Sequence, residues 1–354
     1  MGHDFIFEAR QARVLFGAGR IEALAEEVDR LGAKLALVLS TTNQRAQAEN
    51  VVRRLGKTAI GIFDQAVMHV PIETARAARA AAKRLNADCC VAIGGGSTTG
   101  LAKAIALESG LPIVAIPTTF AGSEMTPIWG LTEDGIKTTG RDARVLPKTV
   151  IYDPELTLTL PPAAAGTSGI NAMAHSVEAL YAENANPVAS LMAEESLRAL
   201  ATSLPKIIAQ PEDLAARSEA LYGAWLAGLV LGTVGVALHH KLCHTLGGSF
   251  AMPHAEIHTL ILPHAAAYNA AAAPDAMARV ARALGVQNAP AGLFDLAISV
   301  GAEMALSEFG MTEADLDRAA EIALTNPYYN PRLIEKGAIR ALLDDAYYGR
   351  RPDM

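Results

Sequence analysis

CCVAIGGGSTTGLAKAIALESG, residues 89–110, decides the fold. An uncharged apolar run reads as a buried strand. Three glycines and a cluster of hydroxyls follow, and then a helical run that stops at Gly110. A strand that breaks on glycines straight into a helix is the repeating unit of a parallel sheet covered on both faces, whose strands are apolar throughout instead of alternating. The flanking sequence has the same character. KLALVLS (34–40) and TAIGIFD (58–64) read as strands, ETARAARAAAKRLNA (73–87) as a helix, and LPIVAIPTT (111–119) as a further strand. The first part of the chain is therefore expected to be an α/β domain with a parallel sheet.

The turn itself suits a phosphate. Gly94, Gly95 and Gly96 let a pyrophosphate approach the backbone, while Ser97, Thr98 and the first helical N–H groups donate to it. The pattern is neither GxGxxG nor GxxxxGK[ST]. Its position after a buried strand, more than its letters, points to a dinucleotide. IPTTFAGSEMTP (116–127) is a second strand end followed by hydroxyls, so Thr118 and Thr119 are placed to bond a nicotinamide ribose or amide, or to cap the next turn. No Asp or Glu stands in STTNQR (40–45) to select a free ribose 2′-hydroxyl. Arg45 either meets a 2′-phosphate or is a solvated helix residue. The expected cofactor is NADH or NADPH.

Past LPKTVIYDPELTLTLPP (146–162) the patterning changes to alanine- and leucine-rich runs of period 3.6, beginning at Pro161–Pro162, where a proline suits a first helical turn. PVASLMAEESLRALATSL, EDLAARSEALYGAWLAGLV, DAMARVARALG, LFDLAISVGAEMALSEFG and TEADLDRAAEIALT all read as helices. The expected organisation is a dinucleotide-binding α/β domain over 1–158 and an all-helical substrate domain over 159–354, with the active site in the cleft between them. ALYGAWLAGLVLGTVGVAL (220–238) has the length of a membrane span. Its four glycines and the His239–His240–Lys241 that follow it favour a single buried core helix instead, with glycines letting neighbouring backbones approach.

With 354 residues, 51% hydrophobic and 19% charged, the chain reads as ordinary globular protein. A formal charge of −7 argues against broad electrostatic binding to nucleic acid or an anionic membrane. Cys89, Cys90 and Cys243 are too few for a disulfide framework and read as buried thiols. MGHDFIFEAR lacks the charged start and apolar core of a secretory signal, so a cytoplasmic location is the expectation.

Six of the nine histidines fall within residues 239–264. His240 and His244 are an i,i+4 pair on one helix face, as are Asn171 and His175 in NAMAHSVEAL (171–180). His254 opens PHAEIHTLILPH (253–264), which adds His258 and His264. Of these, His264 reads as a satisfied core residue, and the rest as a shared polar pocket.

These segments, together with FGAG (16–19), GGGS (94–97), PTT…GSE (117–124) and the DP…LPP passage, resemble the iron-containing (group III) alcohol dehydrogenase superfamily over nearly the whole chain. GGGSTTGLAK, TTFAGSEMTPIWG, KTTGRD and NAMAHSVEALYA are similar to its maleylacetate reductase branch, which reduces a conjugated carbon–carbon double bond during aromatic-ring degradation. The resemblance implies a small dicarboxylate substrate, a homodimer and a cofactor contact from Lys137. The superfamily holds its metal with an aspartate and three histidines, at positions that match Asn171, His175, His240 and His254. His244 matches a further active-site histidine.

Two departures matter. Asn171 replaces the aspartate, and Gly100 replaces the acid of GGGSxxDxxK, although Lys103 remains. With an amide in place of the carboxylate, the expectation is no metal. His175, His240, His244 and His254 then act with Asn171 as donors to a dianionic substrate, and His244 is the first choice as proton donor. Two rival expectations are a metal-dependent alcohol or polyol dehydrogenase, since three-histidine zinc sites exist, and a lyase similar to dehydroquinate synthase.

Overall fold

Strands and helices alternate from Arg13 to Pro117, as the apolar runs require, and three further strands follow. The order is β1 (Arg13–Phe16), α1 (Leu24–Arg30), β2 (Ala36–Leu39), α2 (Arg45–Leu55), β3 (Ala59–Phe63), α3 (Ile72–Arg84), β4 (Cys89–Gly94), α4 (Gly96–Ser109), β5 (Ile113–Pro117), β6 (Ile128–Glu133), β7 (Ile136–Arg141) and β8 (Thr149–Tyr152). The computed structural model describes residues 5–8, 12–134, 136–250 and 252–353, so MGHDFIFEAR is described only at 5–8. The chain divides into two compact units, Arg10–Leu160 and Pro161–Met354, with residues 5–8 grouping with the second.

In the first unit six strands form one parallel sheet in the order β1-β8-β5-β4-β2-β3. The four inner strands are buried along their whole length, whereas edge strands β1 and β3 are only partly covered. That explains why the inner four lack polar alternation. One face packs Leu24, Val28, Val51 and Leu55 of α1 and α2 against Val38, Val91, Ile93 and Val114. The strand order reverses between β2 and β4: β3 lies outside β2, and β4 returns on its other side. Ligands of open α/β sheets bind beyond the strand ends at such a reversal, and here the glycine turn lies there. The β6–β7 hairpin is antiparallel and separate from this sheet. Sequence patterning did not anticipate it.

The second unit is helical: α5 (Pro162–Ala179), α6 (Pro187–Ala209), α7 (Leu214–Thr233), α8 (Leu238–Ser249), α9 (His254–Asn269), α10 (Pro274–Leu284), α11 (Ala289–Ser299), α12 (Glu313–Leu324) and α13 (Lys336–Tyr347). Pro162 takes the first turn of α5. Two expected helices are corrected. The run 220–238 is not one helix: α7 ends at Thr233, α8 begins at Leu238, and their axes differ by 96°. Among the described residues no single helix is long and apolar enough to cross a membrane. The run is nonetheless mostly buried, and a side chain at Gly223 would collide with Leu200 of α6 at 2.8 Å, which confirms close helix packing there. LFDLAISVGAEMALSEFG also splits, because α11 stops at Ser299 and Gly301 takes φ 76°, a left-handed conformation that ends a helix.

Candidate active site

At the glycine turn β4 delivers Gly94 into the first turn of α4 through Gly95, and no side chain caps that helix. Its first N–H groups are thus left for a ligand. Thr98 is buried and its hydroxyl has no hydrogen-bond partner, a second polar group at the turn without one. The structure brings the β5 hydroxyls here too. The Thr118 N–H donates to the Gly94 carbonyl at 3.1 Å, and Thr119 packs against Gly95.

The glycines differ in what excludes a side chain. A Cβ at Gly95 would lie 2.9 Å from Thr119, and one at Gly94 2.5 Å from the Thr98 hydroxyl. At Gly96 the nearest atom is the Ala121 methyl, 3.9 Å away, so the protein itself leaves room there. Gly100, where the resembling family has an acid, is closed by Val70, whose Cγ2 would be 2.8 Å from a Cβ. Val70 itself holds φ 46°, which is rare for a β-branched residue.

Three other residues near the turn gain defined roles. Gln44, which sequence reading passed over, donates to the Thr118 hydroxyl at 2.8 Å. Arg45 is tied to Asp64 at 2.7 Å and Glu49 at 3.1 Å, in keeping with the helix-residue alternative. Lys103 is fully buried. Its ammonium donates to the Ser123 and Ile128 carbonyls and the Thr126 hydroxyl at 2.7–2.9 Å, and burial pushes its pKa down to about 7. It pins the segment after β5. Lys137 lies on β7, exposed and opposite Thr132 in the hairpin.

In the helical unit α5, α8 and α9 carry the histidines. Asn171, His175 and Glu178 follow one stripe of α5, all buried. The His175 and His240 rings stack at 5.1 Å, His240 lies 6.0 Å from His244 and 5.1 Å from His258, and His254 lies 4.3 Å from His258. The structure therefore gathers His175, His240, His244 and His254, and adds His258 and His239. His264 stands apart against Phe294, with burial pushing its pKa down to about 4. Burial, reinforced by neighbouring histidines, also holds His175, His239 and His258 well below the ordinary histidine range, so these rings are neutral. His244 Nδ1 meets the Tyr328 hydroxyl at 3.0 Å.

Two of these partners were missed. Glu178 stands inside the quoted NAMAHSVEAL, but its role depends on α8, 59 to 62 residues away. Tyr328 is 84 residues from His244 and had no local signal.

Do these residues fit a metal? Asn171 Oδ1, His175 Nδ1 and His240 Nε2 are buried without partners. Yet a dication on Asn171, His175, His240 and His254 would have no anionic ligand. Among the described residues, the one set of His, Cys and acidic groups whose ligand atoms lie within 4.8 Å of one another is His239, Cys243 and His258. In that set His239 Nε2 and His258 Nδ1 already share a hydrogen bond of 3.0 Å, and burial keeps the Cys243 thiol protonated. The residues do not fit the carboxylate–His₃ ion of the resembling family.

A model of the iron-containing alcohol dehydrogenases matches residues 11–154, and one of the Fe-containing alcohol dehydrogenase family, C-terminal, matches 165–347. A maleylacetate reductase of Burkholderia cepacia is 62% identical over 348 residues, covering 98% of this chain and 99% of the relative. One from Sphingobium indicum is 56% identical over 349 residues, 99% of each. The crystal structure of the maleylacetate reductase from Agrobacterium tumefaciens superimposes with a TM-score of 0.95 at 54% identity, covering 99% of this chain and 100% of that one.

Proposed function

Since the chain belongs to the iron-containing alcohol dehydrogenase family, we propose that it reduces maleylacetate to 3-oxoadipate with a nicotinamide cofactor and without a metal. The observation that carries the reading is the 62% identity along 98% of the chain to a maleylacetate reductase. The full-length relatives support this over a metal-dependent polyol dehydrogenase or a dehydroquinate-synthase-like lyase.

The chemistry explains why the amide at 171 is tolerable. In an alcohol dehydrogenase, charge localises on an alkoxide, for which a divalent Lewis acid is well suited. Maleylacetate has an alkene conjugated to a ketone. A bound nicotinamide would supply hydride to the alkene carbon β to the carbonyl; the π pair would move to give an enolate on the substrate, and a proton would then close the α carbon. Hydrogen-bond donors aimed at the enolate oxygen stabilise that intermediate. The substrate is also a dianion, and a carboxylate at 171 would oppose it. At an effective dielectric of ~20, one unit charge 4 Å away is worth about 4 kcal/mol.

We assign the cofactor pyrophosphate to Gly94, Gly95, Gly96 and Ser97, and the nicotinamide side to Thr118 and Thr119. Asn171, His175, His240 and His254 bind the substrate, and His244, oriented by Tyr328, delivers the proton. NADH and NADPH are both admitted; Lys137 remains a weaker cofactor assignment. The reading carries further expectations: a cytoplasmic homodimer serving aromatic-ring degradation. The test is oxidation of NADH or NADPH on addition of maleylacetate, before and after chelator treatment. Activity lost to the chelator and restored by Zn²⁺ or Fe²⁺ would overturn the metal-free reaction, and no oxidation at all would overturn the substrate.

A further inference from the structure

α8 starts abruptly after the 96° break, and the residue at its N-cap is Ala237, which has no side-chain acceptor. The buried acceptor comes from another helix. Glu178 Oε2 accepts the Ala237 N–H at 2.8 Å, and Oε1 accepts the His239 N–H at 2.7 Å and the His240 N–H at 3.4 Å. The same Oε2 meets His240 Nδ1 at 2.6 Å. Both oxygens are thus occupied as acceptors, which makes Nδ1 the donor and places the His240 proton on that nitrogen. His240 Nε2 is left buried, without a partner, in a ring stacked on His175.

We infer that Glu178 is the positioning residue for His240. One carboxylate fixes the first turn of α8, which carries His239, His240, Cys243 and His244, and also fixes which nitrogen of His240 is presented to the substrate. Two tasks that a helix cap and a ring-orienting partner normally divide are joined in one side chain. The inference rests on the proposed reduction for its kinetic consequence, whereas its structural content stands apart from the identity of the substrate.

The experiment has two arms. In the wild-type protein, ¹⁵N-histidine spectra, assigned by the signal lost in His240→Asn, should show the His240 proton on Nδ1; a proton on Nε2 alone overturns the inference. In Glu178→Gln, the amide must fail either a backbone N–H or the ring. The kcat for maleylacetate should then fall about 10- to 100-fold, the range seen when such orienting partners are removed, while the KM for the nicotinamide cofactor stays within twofold. A folded Gln variant with kcat within twofold of wild type overturns it. So does a loss in which kcat and cofactor KM collapse together, which signals general structural damage. If wild type fails to reduce maleylacetate, the proposed function falls and the spectroscopic arm still decides the positioning role.

Discussion

The glycine turn and the histidine cluster are built by opposite means. At the turn the working groups are backbone N–H donors and missing side chains, assembled within a dozen residues of one strand–helix unit. In the cluster they are side chains from three helices, oriented by partners as far as 84 residues away. A backbone site fails when an atom is added; a side-chain site fails when a charge or an orientation changes. Substitutions at the two places should therefore leave different signatures.

The largest effect is expected in the cluster. Asn171→Asp restores the charge that the resembling family uses, so it should create measurable affinity for Zn²⁺ or Fe²⁺ and raise the maleylacetate KM by a factor of 10 to ~1,000, given about 4 kcal/mol for unit charges at 4 Å. Elemental analysis and steady-state kinetics check both together. A mutant gaining neither metal nor a raised KM breaks the claim that one charge governs the cluster.

Next comes the turn. A Cβ at Gly96 has only the Ala121 methyl near it, 3.9 Å away, so in Gly96→Val unfolding should stay cooperative while the cofactor KM rises at least about tenfold, the equivalent of ~1.4 kcal/mol. Gly95→Ala collides with Thr119 and should lower stability as well. Denaturant titrations and cofactor KM separate the two. Equal stability losses would show that the turn is shaped by packing alone.

Acid should weaken the helical unit more than the α/β unit. The folded pKa of His264 is about 4, below the ~6.5 of an unfolded histidine. Its contribution is complete above pH ~6.5 and is lost as pH falls toward 4, amounting to about 3 kcal/mol. His175, His239 and His258 shift in the same direction, and they too add stability that is lost below pH ~6.5. The α/β unit has one described histidine, His69, which burial also holds below its ordinary range, so its share of the acid loss is one group's. Urea midpoints at pH 7.5 and 5.5 should differ sharply; identical midpoints would deny that the rings are buried neutral.

The smallest effect is Tyr328→Phe. Removing one hydroxyl from His244 Nδ1 should lower kcat several-fold, in line with about 1 kcal/mol for a single hydrogen bond, with cofactor KM unchanged.

The same contrast explains what could be read from the sequence. Apolar runs made β2, β3, β4 and β5, the turn and its threonines legible, whereas the runs at β1 and β8 were too short to be read as strands. β6 and β7 were missed too, since a partly exposed hairpin has no such run. The spacing of His240, His244 and His254 marked a pocket. Glu178 was invisible as a cap because caps are sought just before a helix, and this one is supplied by another. The break at Thr233–Leu238 was hidden by uniform hydrophobicity, which records burial and says nothing about direction.

The contact between Gly100 and Val70 couples two positions on different elements of the α/β unit. An acid cannot stand at position 100 while Val70 fills the space, and glycine at 70 would suit the left-handed backbone better than valine does. The two sites are thus coupled: a side chain at 100 needs a smaller residue at 70, where glycine would relieve the left-handed backbone but give up the burial of the valine side chain. A side chain at 100 is therefore available only to a chain whose residue at 70 has already made room for it.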